Sequence, residues 1–375
     1  MAVGDWRVIL GKYIMRAMTT LSLFAGPRAL RQIQDNGLNA EQFNLIAGAS
    51  GGPKWFVLYG LDRYLFGEFL PAKEDAIATV GSSAGAWRLS CLGTADPVGA
   101  IERLAELYSR EQYSAQPTIN EVTTKARTLL KAVLGNDGAS QIVANQKVKQ
   151  HIIADRCRGL LNIDKKIALG LGLGAAAISN LVSRRALPLY FERTVFNNHS
   201  HDCPLVSLQE TPTQDVKLTE ENVSLALLAS GSIPFALEGE RNIGGAKPGL
   251  YVDGGITDYH FDLPFDRHDG LVLYPHFSPR VIPGWFDKQI PWRRVNERHF
   301  DNVLMLTPSY EFVKSLPFGK IPDRSDFKKL DYNARVNYWQ TVLSESRRMA
   351  DEFANLVEHG VDPAKIRLFN ARQSY

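Results

Sequence analysis

Two short stretches of the chain set a serine among small residues in a pattern suited to nucleophilic chemistry. Gly81-Ser82-Ser83-Ala84-Gly85 and Gly48-Ala49-Ser50-Gly51-Gly52 both fit G-x-S-x-G. A serine at a strand–helix junction can project its hydroxyl only through a sharp turn, and small residues two places before and after keep that turn clear. The N-terminus of the helix behind it favours developing negative charge. The pattern does not say which serine attacks. Gly52 and Ser83 stand about one βαβ unit apart, so both turns belong at one edge of a parallel sheet, where open α/β folds hold ligands. One turn can then supply the nucleophile and the other the backbone N–H groups that receive an oxyanion. Gly51-Gly52 has the backbone freedom for the second task. Pro53 has no N–H to offer, but it starts a helix well.

A third piece is Asp253, in Tyr251-Val252-Asp253-Gly254-Gly255. A carboxylate at the end of a short strand, followed by two glycines, can reach across a site unobstructed, although the same composition makes ordinary turns. A triad would need a histidine, and His260, His276, His299 and His359 follow Asp253 in the required order. None lies in a segment shaped for the task, and all read as ordinary imidazoles. His199 and His201, near Asp202 and Cys203, lack the further clustered ligands of a zinc site. No metal or cofactor is expected, and nothing has the form of a calcium loop. Gly48-x-x-Gly51 and Tyr310-x-x-x-Lys314 together suggest a dinucleotide-binding reductase. The two features lie too far apart for one such domain, and Lys54 stands where the third fingerprint glycine belongs.

These residues need elements to carry them. Phe43–Ala47 reads as a strand into the first turn, with residues 54–69 helical behind it. Ala76–Val80 reads as a strand into the second turn, followed by a helix from Ala86 and another over Ile101–Tyr108, started by Asp96-Pro97. Such strand–helix–strand units mean a parallel sheet covered by helices. Leu187–Val195 and Leu250–Val252 read as strands and Val223–Ala229 as a helix. The stretch 278–294 reads as a Pro- and Trp-rich loop. Apolar spacing predicts amphipathic helices over residues 1–34 and 334–359, the latter stopped by Gly360.

The 375 residues carry a net charge of +3, with 45% apolar and 22% charged residues, which is ordinary globular usage. So dilute a positive charge argues against a nucleic-acid partner. Three cysteines without a C-x-x-C pair give no disulfide framework, which favours a reducing, cytoplasmic setting. Arg7, Lys12 and Arg16 break up any signal-peptide core. The apolar run 167–182 is shorter than the ~20 residues of a spanning helix.

Taken together, the motifs resemble those of the patatin-like phospholipase family, which uses a Ser–Asp dyad. The elbow is matched by Gly81–Gly85, with Ser83 as nucleophile, and the Asp-Gly-Gly/Ala motif by Asp253-Gly254-Gly255. The glycine-rich oxyanion motif is matched by Ser50-Gly51-Gly52-Pro53-Lys54-Trp55. Ala229-Ser230-Gly231-Ser232-Ile233-Pro234-Phe235 is similar to the segment that precedes the family's aspartate. Ser50 and Trp55 depart from glycines of the oxyanion motif, and residues 256–264 form a longer step than is usual. The resemblance implies a three-layer α/β/α fold with a mostly parallel central sheet and a helical C-terminal extension. It divides the chain into an N-terminal amphipathic segment (1–40), a catalytic core (41–266) and an extension packed on that core (267–375). It also implies a lipid acyl hydrolase with Ser83 and Asp253 as the dyad and backbone N–H groups of Gly51, Gly52 and Lys54 as the oxyanion hole. The substrate would be a lipid ester met at a membrane surface, with peripheral contact through the N-terminal segment, the run 167–182, or the loop holding Trp285 and Trp292. A Ser–His–Asp esterase and a non-catalytic, membrane-associated protein of the same fold are the alternatives.

Overall fold

The computed structural model describes residues 19–199 and 211–374. Its strands are β1 (Leu21–Ala25), β2 (Phe43–Gly48), β3 (Ile77–Ser82), β4 (Val148–Cys157), β5 (Phe191–Asn197), β6 (Thr213–Lys217), β7 (Glu240–Arg241), β8 (Leu250–Asp253), β9 (Leu271–Pro275), β10 (Val303–Pro308) and β11 (Ile366–Leu368). They form one mixed, mostly parallel sheet in the order β11-β1-β10-β9-β2-β3-β4-β5-β6, flanked by helices, as a three-layer α/β/α fold requires. β3 and β9 are buried at every position. Near-continuous apolar runs of this kind belong to parallel strands covered on both faces.

β2 and β3 run parallel, with Gly48 opposite Gly81, so the two glycine turns leave the sheet at one edge. β4 does the rest of the positioning. Its Ile153 pairs with Ser82 of parallel β3, and its next residue, Ala154, pairs with Asp253 of antiparallel β8. Two strands far apart in sequence thus end against consecutive residues of a third.

Several expected elements differ in kind. Of the helix expected over 1–34, residues 1–18 lie outside the described residues. Leu21–Ala25 is a strand, and among the described residues of this stretch the helix covers Pro27–Asn36. β1 owes its conformation to antiparallel pairing with β10 and parallel pairing with β11, partners contributed by the far end of the chain. The helix expected over 334–359 is two helices, Tyr332–Glu345 and Arg347–His359, broken at Ser346. There Ser346 Oγ donates to Leu343 O and accepts from Gly60 N, so the break seats the helix Tyr59–Tyr64. Of the strand expected over Leu187–Val195, residues 187–189 belong to the 3₁₀ turn Arg184–Leu189, and the strand begins at Phe191. Residues beyond 266 bring helices and also β9, β10 and β11, with β9 lying directly beside β2.

Candidate active site

Ser83 sits between β3 and the helix Ala84–Leu92 with φ 54° and ψ −126°. Such a conformation costs a non-glycine residue about 1–3 kcal/mol and persists only where the surroundings fix it. The glycines of the motif leave the turn its space. A Cβ on Gly81 would fall 2.6 Å from the Ala86 backbone, and one on Gly85 would fall 1.8 Å from Gly48 O of the other turn. Beneath the elbow, buried Arg88 donates to Asp62 at 2.8 and 2.6 Å, joining the elbow's helix to the helix Tyr59–Tyr64.

Ser83 Oγ donates to Asp253 Oδ2 at 2.8 Å, while Asp253 Oδ1 accepts from Gly255 N at 2.7 Å. Both residues are almost completely buried. Burial pushes the Asp253 carboxyl above its ordinary pKa; the Arg324 charge and the hydrogen bonds from Ser83 and Gly255 act against that. The motif segment that spans the end of the helix Glu220–Gly231 tethers both partners. Ser230 Oγ accepts from Ser83 N at 2.9 Å and donates to Ile153 O, and Ser232 O accepts from Asp253 N at 2.9 Å. The downstream histidines bond elsewhere: His260 to Ile282, His276 to Ser278, His299 to Asp262 and His359 to Asn355. Burial holds His260 and His276 well below the ordinary imidazole pKa, so both are neutral.

Ser50 has a different setting. Ser82 Oγ donates to Asp258 O at 2.6 Å and therefore accepts from Ser50 Oγ at 2.8 Å, while Ser50 N donates to Tyr259 O at 2.9 Å. The hydroxyl is tied down between loops, and its hydrogen bonds go to Ser82 rather than to a carboxylate. The long step after Asp253 is held in the same way. Thr257 donates twice to Asp155 of β4, and Arg193 of β5 grips Asp258 at 2.6 and 2.8 Å. The extra residues thus brace the elbow and the Ser50 turn against each other.

Gly51 and Gly52 line the same cavity as Ser83, and among the described residues neither N–H donates a backbone hydrogen bond. Lys54 N is turned toward Gly51 O at 3.5 Å, inside the 3₁₀ turn Gly52–Leu58, and it is the Lys54 side chain that points to Asp323. Ser83 faces two spaces, each of about 240 Å³. One is apolar, walled by Trp55, Trp87, Leu104, Tyr108, Val122 and Leu129. The indole that replaces a motif glycine at position 55 is therefore a wall of this pocket. The other is polar and holds Asp253, Lys54 and Lys288, with Arg324 between the two spaces and lining both. Sequence reasoning missed Arg324 and Lys288. Each is a lone cation in a loop, brought to the site by tertiary structure with no motif around it.

His199 lies at a surface pocket with His151 and His268, and its expected partners His201, Asp202 and Cys203 are outside the described residues. No group of His, Cys, Asp or Glu among the described residues has the form of a metal site. Tyr310 and Lys314 pair with each other on the helix Tyr310–Ser315, away from both spaces.

The family model of the patatin-like phospholipases matches residues 73–261, just over half of the chain, and the chain belongs to that family. The matched span takes in the elbow and Asp253 but begins after the Ser50 turn. No curated protein and no solved structure matches the chain. Membership carries lipid acyl hydrolase activity of a general kind.

Proposed function

We propose that the protein cleaves acyl esters of lipids, in the manner of a phospholipase A or lysophospholipase, through an acyl-enzyme on Ser83. The observation that carries this reading is the 2.8 Å hydrogen bond from the hydroxyl of a strained elbow serine, itself part of the lining of an apolar pocket, to a buried carboxylate. Ser83 Oγ attacks the ester carbonyl as its proton passes to Asp253. The N–H groups of Gly51 and Gly52 receive the oxyanion, the larger part of the rate enhancement in such sites. The tetrahedral intermediate collapses, Asp253 returns the proton to the leaving alkoxide, and the acyl group stays on Ser83. Water then attacks the acyl carbon, losing its proton to Asp253; the Ser83–acyl bond breaks as Asp253 returns that proton to Ser83 Oγ, and the fatty acid leaves. A carboxylate is an intrinsically weaker base than imidazole, and the burial that raises the pKa of Asp253 brings it closer to the working pH.

A bilayer substrate requires a surface that meets the bilayer, and the helix Lys166–Val182 is built for one. Gly172, Ala176 and Asn180 face inward, while Ile167 (79%), Leu171 (64%), Ile178 (70%) and Val182 (85%) are exposed. Leu169 and Leu173 pack partly against the core, but fully buried positions held by small or polar residues and large aliphatic ones left outside are the reverse of a core-packed helix. Asp287 fixes this helix to the tryptophan loop, accepting from Asn180 at 2.8 Å and from Arg184 at 3.0 Å. Trp285, Trp292, Leu189 and Phe235 extend the apolar surface, and Trp285 also borders the polar pocket. Exposed Lys165, Lys166, Arg185 and Arg294 stand around it, an arrangement suited to interfacial binding on anionic lipid. No helix among the described residues is long and apolar enough to cross a membrane.

The test is hydrolysis of a panel of glycerolipids by wild-type and Ser83→Ala protein, with sedimentation on anionic vesicles run in parallel. Release of fatty acid that vanishes in the variant is expected; release that survives it sinks the Ser83 mechanism. Binding should weaken with salt and in Trp285→Ala/Trp292→Ala, and binding indifferent to both removes the docking surface.

A further inference from the structure

The polar space beside Ser83 contains more positive charge than the chain neutralises. Lys54, Lys288 and Arg324 line it together with two carboxylates, Asp253 and Asp323. Asp253 is engaged by Ser83 and Gly255, and Asp323 lies 3.7 Å from Lys54. Among the described residues, neither Lys288 nor Arg324 has a carboxylate within 4.0 Å. Arg324 is packed so close to the oxyanion turn that a Cβ on Gly52 would stand 2.7 Å from its Nε, yet the side chain is solvent-accessible through the pocket. Lys288 Nζ lies 3.8 Å over the Tyr259 ring and 5.7 Å from that of Trp285. Burial, with Lys54 and Arg324 nearby, pushes the Lys288 ammonium down to about 7. A group held under such repulsion gains from an anion placed among the three cations.

We infer that this space is the subsite for the alcohol portion of the substrate and takes an anionic group there, a phosphate monoester fitting it best. The inference deepens the hydrolase reading and rests on it for the position of the scissile ester. With the acyl chain in the apolar pocket and the carbonyl at Ser83, the alcohol side of the ester enters the polar space. A quaternary ammonium would need the ring faces of Tyr259 and Trp285, and the chain's own Lys288 already lies over them. A phosphate would instead meet a guanidinium and two ammonium groups, the donors that recognise it. Lys288 and Arg324 both lie beyond residue 261, outside the span that matches the family model, so this preference belongs to the C-terminal part of the chain.

The experiment has a turnover arm and a binding arm. In detergent micelles, kcat/KM is compared for three mono-acyl glycerol esters of one chain length, bearing a free hydroxyl, a phosphate monoester or a phosphocholine. The wild type should favour the phosphate monoester over both others by tenfold or more. That ratio should fall about tenfold, chiefly through KM, in Lys288→Gln and in Arg324→Gln, and Lys288→Arg should recover it. A wild-type ratio near one, or a ratio that both glutamine variants keep, overturns the subsite. In the binding arm, Ser83→Ala protein is titrated with an alkyl-ether glycerol phosphate, the matching alkyl-ether glycerol and inorganic phosphate. Preferential binding of the ether phosphate without any ester turnover by the wild type would leave the subsite standing and sink the hydrolase reading. Equal binding of both ethers overturns the subsite, and inorganic phosphate binding as tightly as the ether phosphate makes it a free-phosphate site instead.

Discussion

The turns at Gly48–Gly52 and Gly81–Gly85 share one sequence pattern, follow neighbouring parallel strands and touch through Gly48 and Gly85. In one, the serine adopts a left-handed backbone and presents its hydroxyl to Asp253. In the other, the serine hydroxyl is bound to the neighbouring turn, and the two glycines after it line the cavity instead. The difference comes from what each strand's neighbours deliver. β4 brings β8, and with it Asp253, to the end of β3, whereas the end of β2 meets the loop 256–264. A serine in this pattern thus meets a carboxylate only where the neighbouring strands bring one within reach.

The comparison breaks most sharply at the serines. Ser83→Ala should abolish labelling by a fluorophosphonate probe while Ser50→Ala retains it; the reverse result would exchange the roles of the two turns. Next in size is the base. Asp253→Asn should lower turnover of a soluble ester by about two orders of magnitude, the usual cost of losing a general base, with the unfolding midpoint close to wild type. A histidine substitution having that effect in its place would point to a triad.

The pH profile sharpens the same contrast. Asp253 must be ionised to accept the proton, and its pKa in the folded protein is raised, so activity should fall as pH drops through a value above the ~3.9 of an ordinary aspartate. An acidic limb at or below that value, measured on kcat/KM, contradicts the burial argument. The contact between the turns gives a smaller effect. Gly85→Ala, with its methyl 1.8 Å from Gly48 O, should cost about 1–3 kcal/mol in denaturant unfolding and displace both turns. An unchanged midpoint would mean that the turns separate freely. Smallest is Ser50→Ala, which removes a buried hydrogen bond between the turns at about 1 kcal/mol. A loss of activity as large as that of Asp253→Asn would show Ser50 to be more than a brace.

Local signals were legible wherever short-range chemistry decides the backbone. The Asp96-Pro97 start is a cap in which Asp96 accepts from Gly99 N at 2.9 Å, and the strand–turn–helix rhythm from Phe43 to Ala86 stands as read. Periodicity failed where distant partners took over. Leu21–Ala25 carries helical spacing yet pairs with β10 and β11, because backbone groups in a sheet are satisfied by strands the local sequence does not contain. The Ser346 break is equally invisible, since its cause is the approach of Gly60.

For the site, the order of motifs in the chain marked the segments that come together: two glycine turns about one βαβ unit apart and an aspartate before two glycines, because each needs small residues in fixed places around it. Residue spacing leaves two serines open and the family resemblance points to Ser83; the tertiary structure supplies the physical reason that Ser83 is the one to meet a carboxylate, β4 pairing consecutive residues with β3 and β8. The tertiary structure alone also assembled Lys54, Lys288 and Arg324 around the far side of Ser83. Charges from three separate loops act on one pocket through distance in space, and distance in space is set by packing rather than by position along the chain.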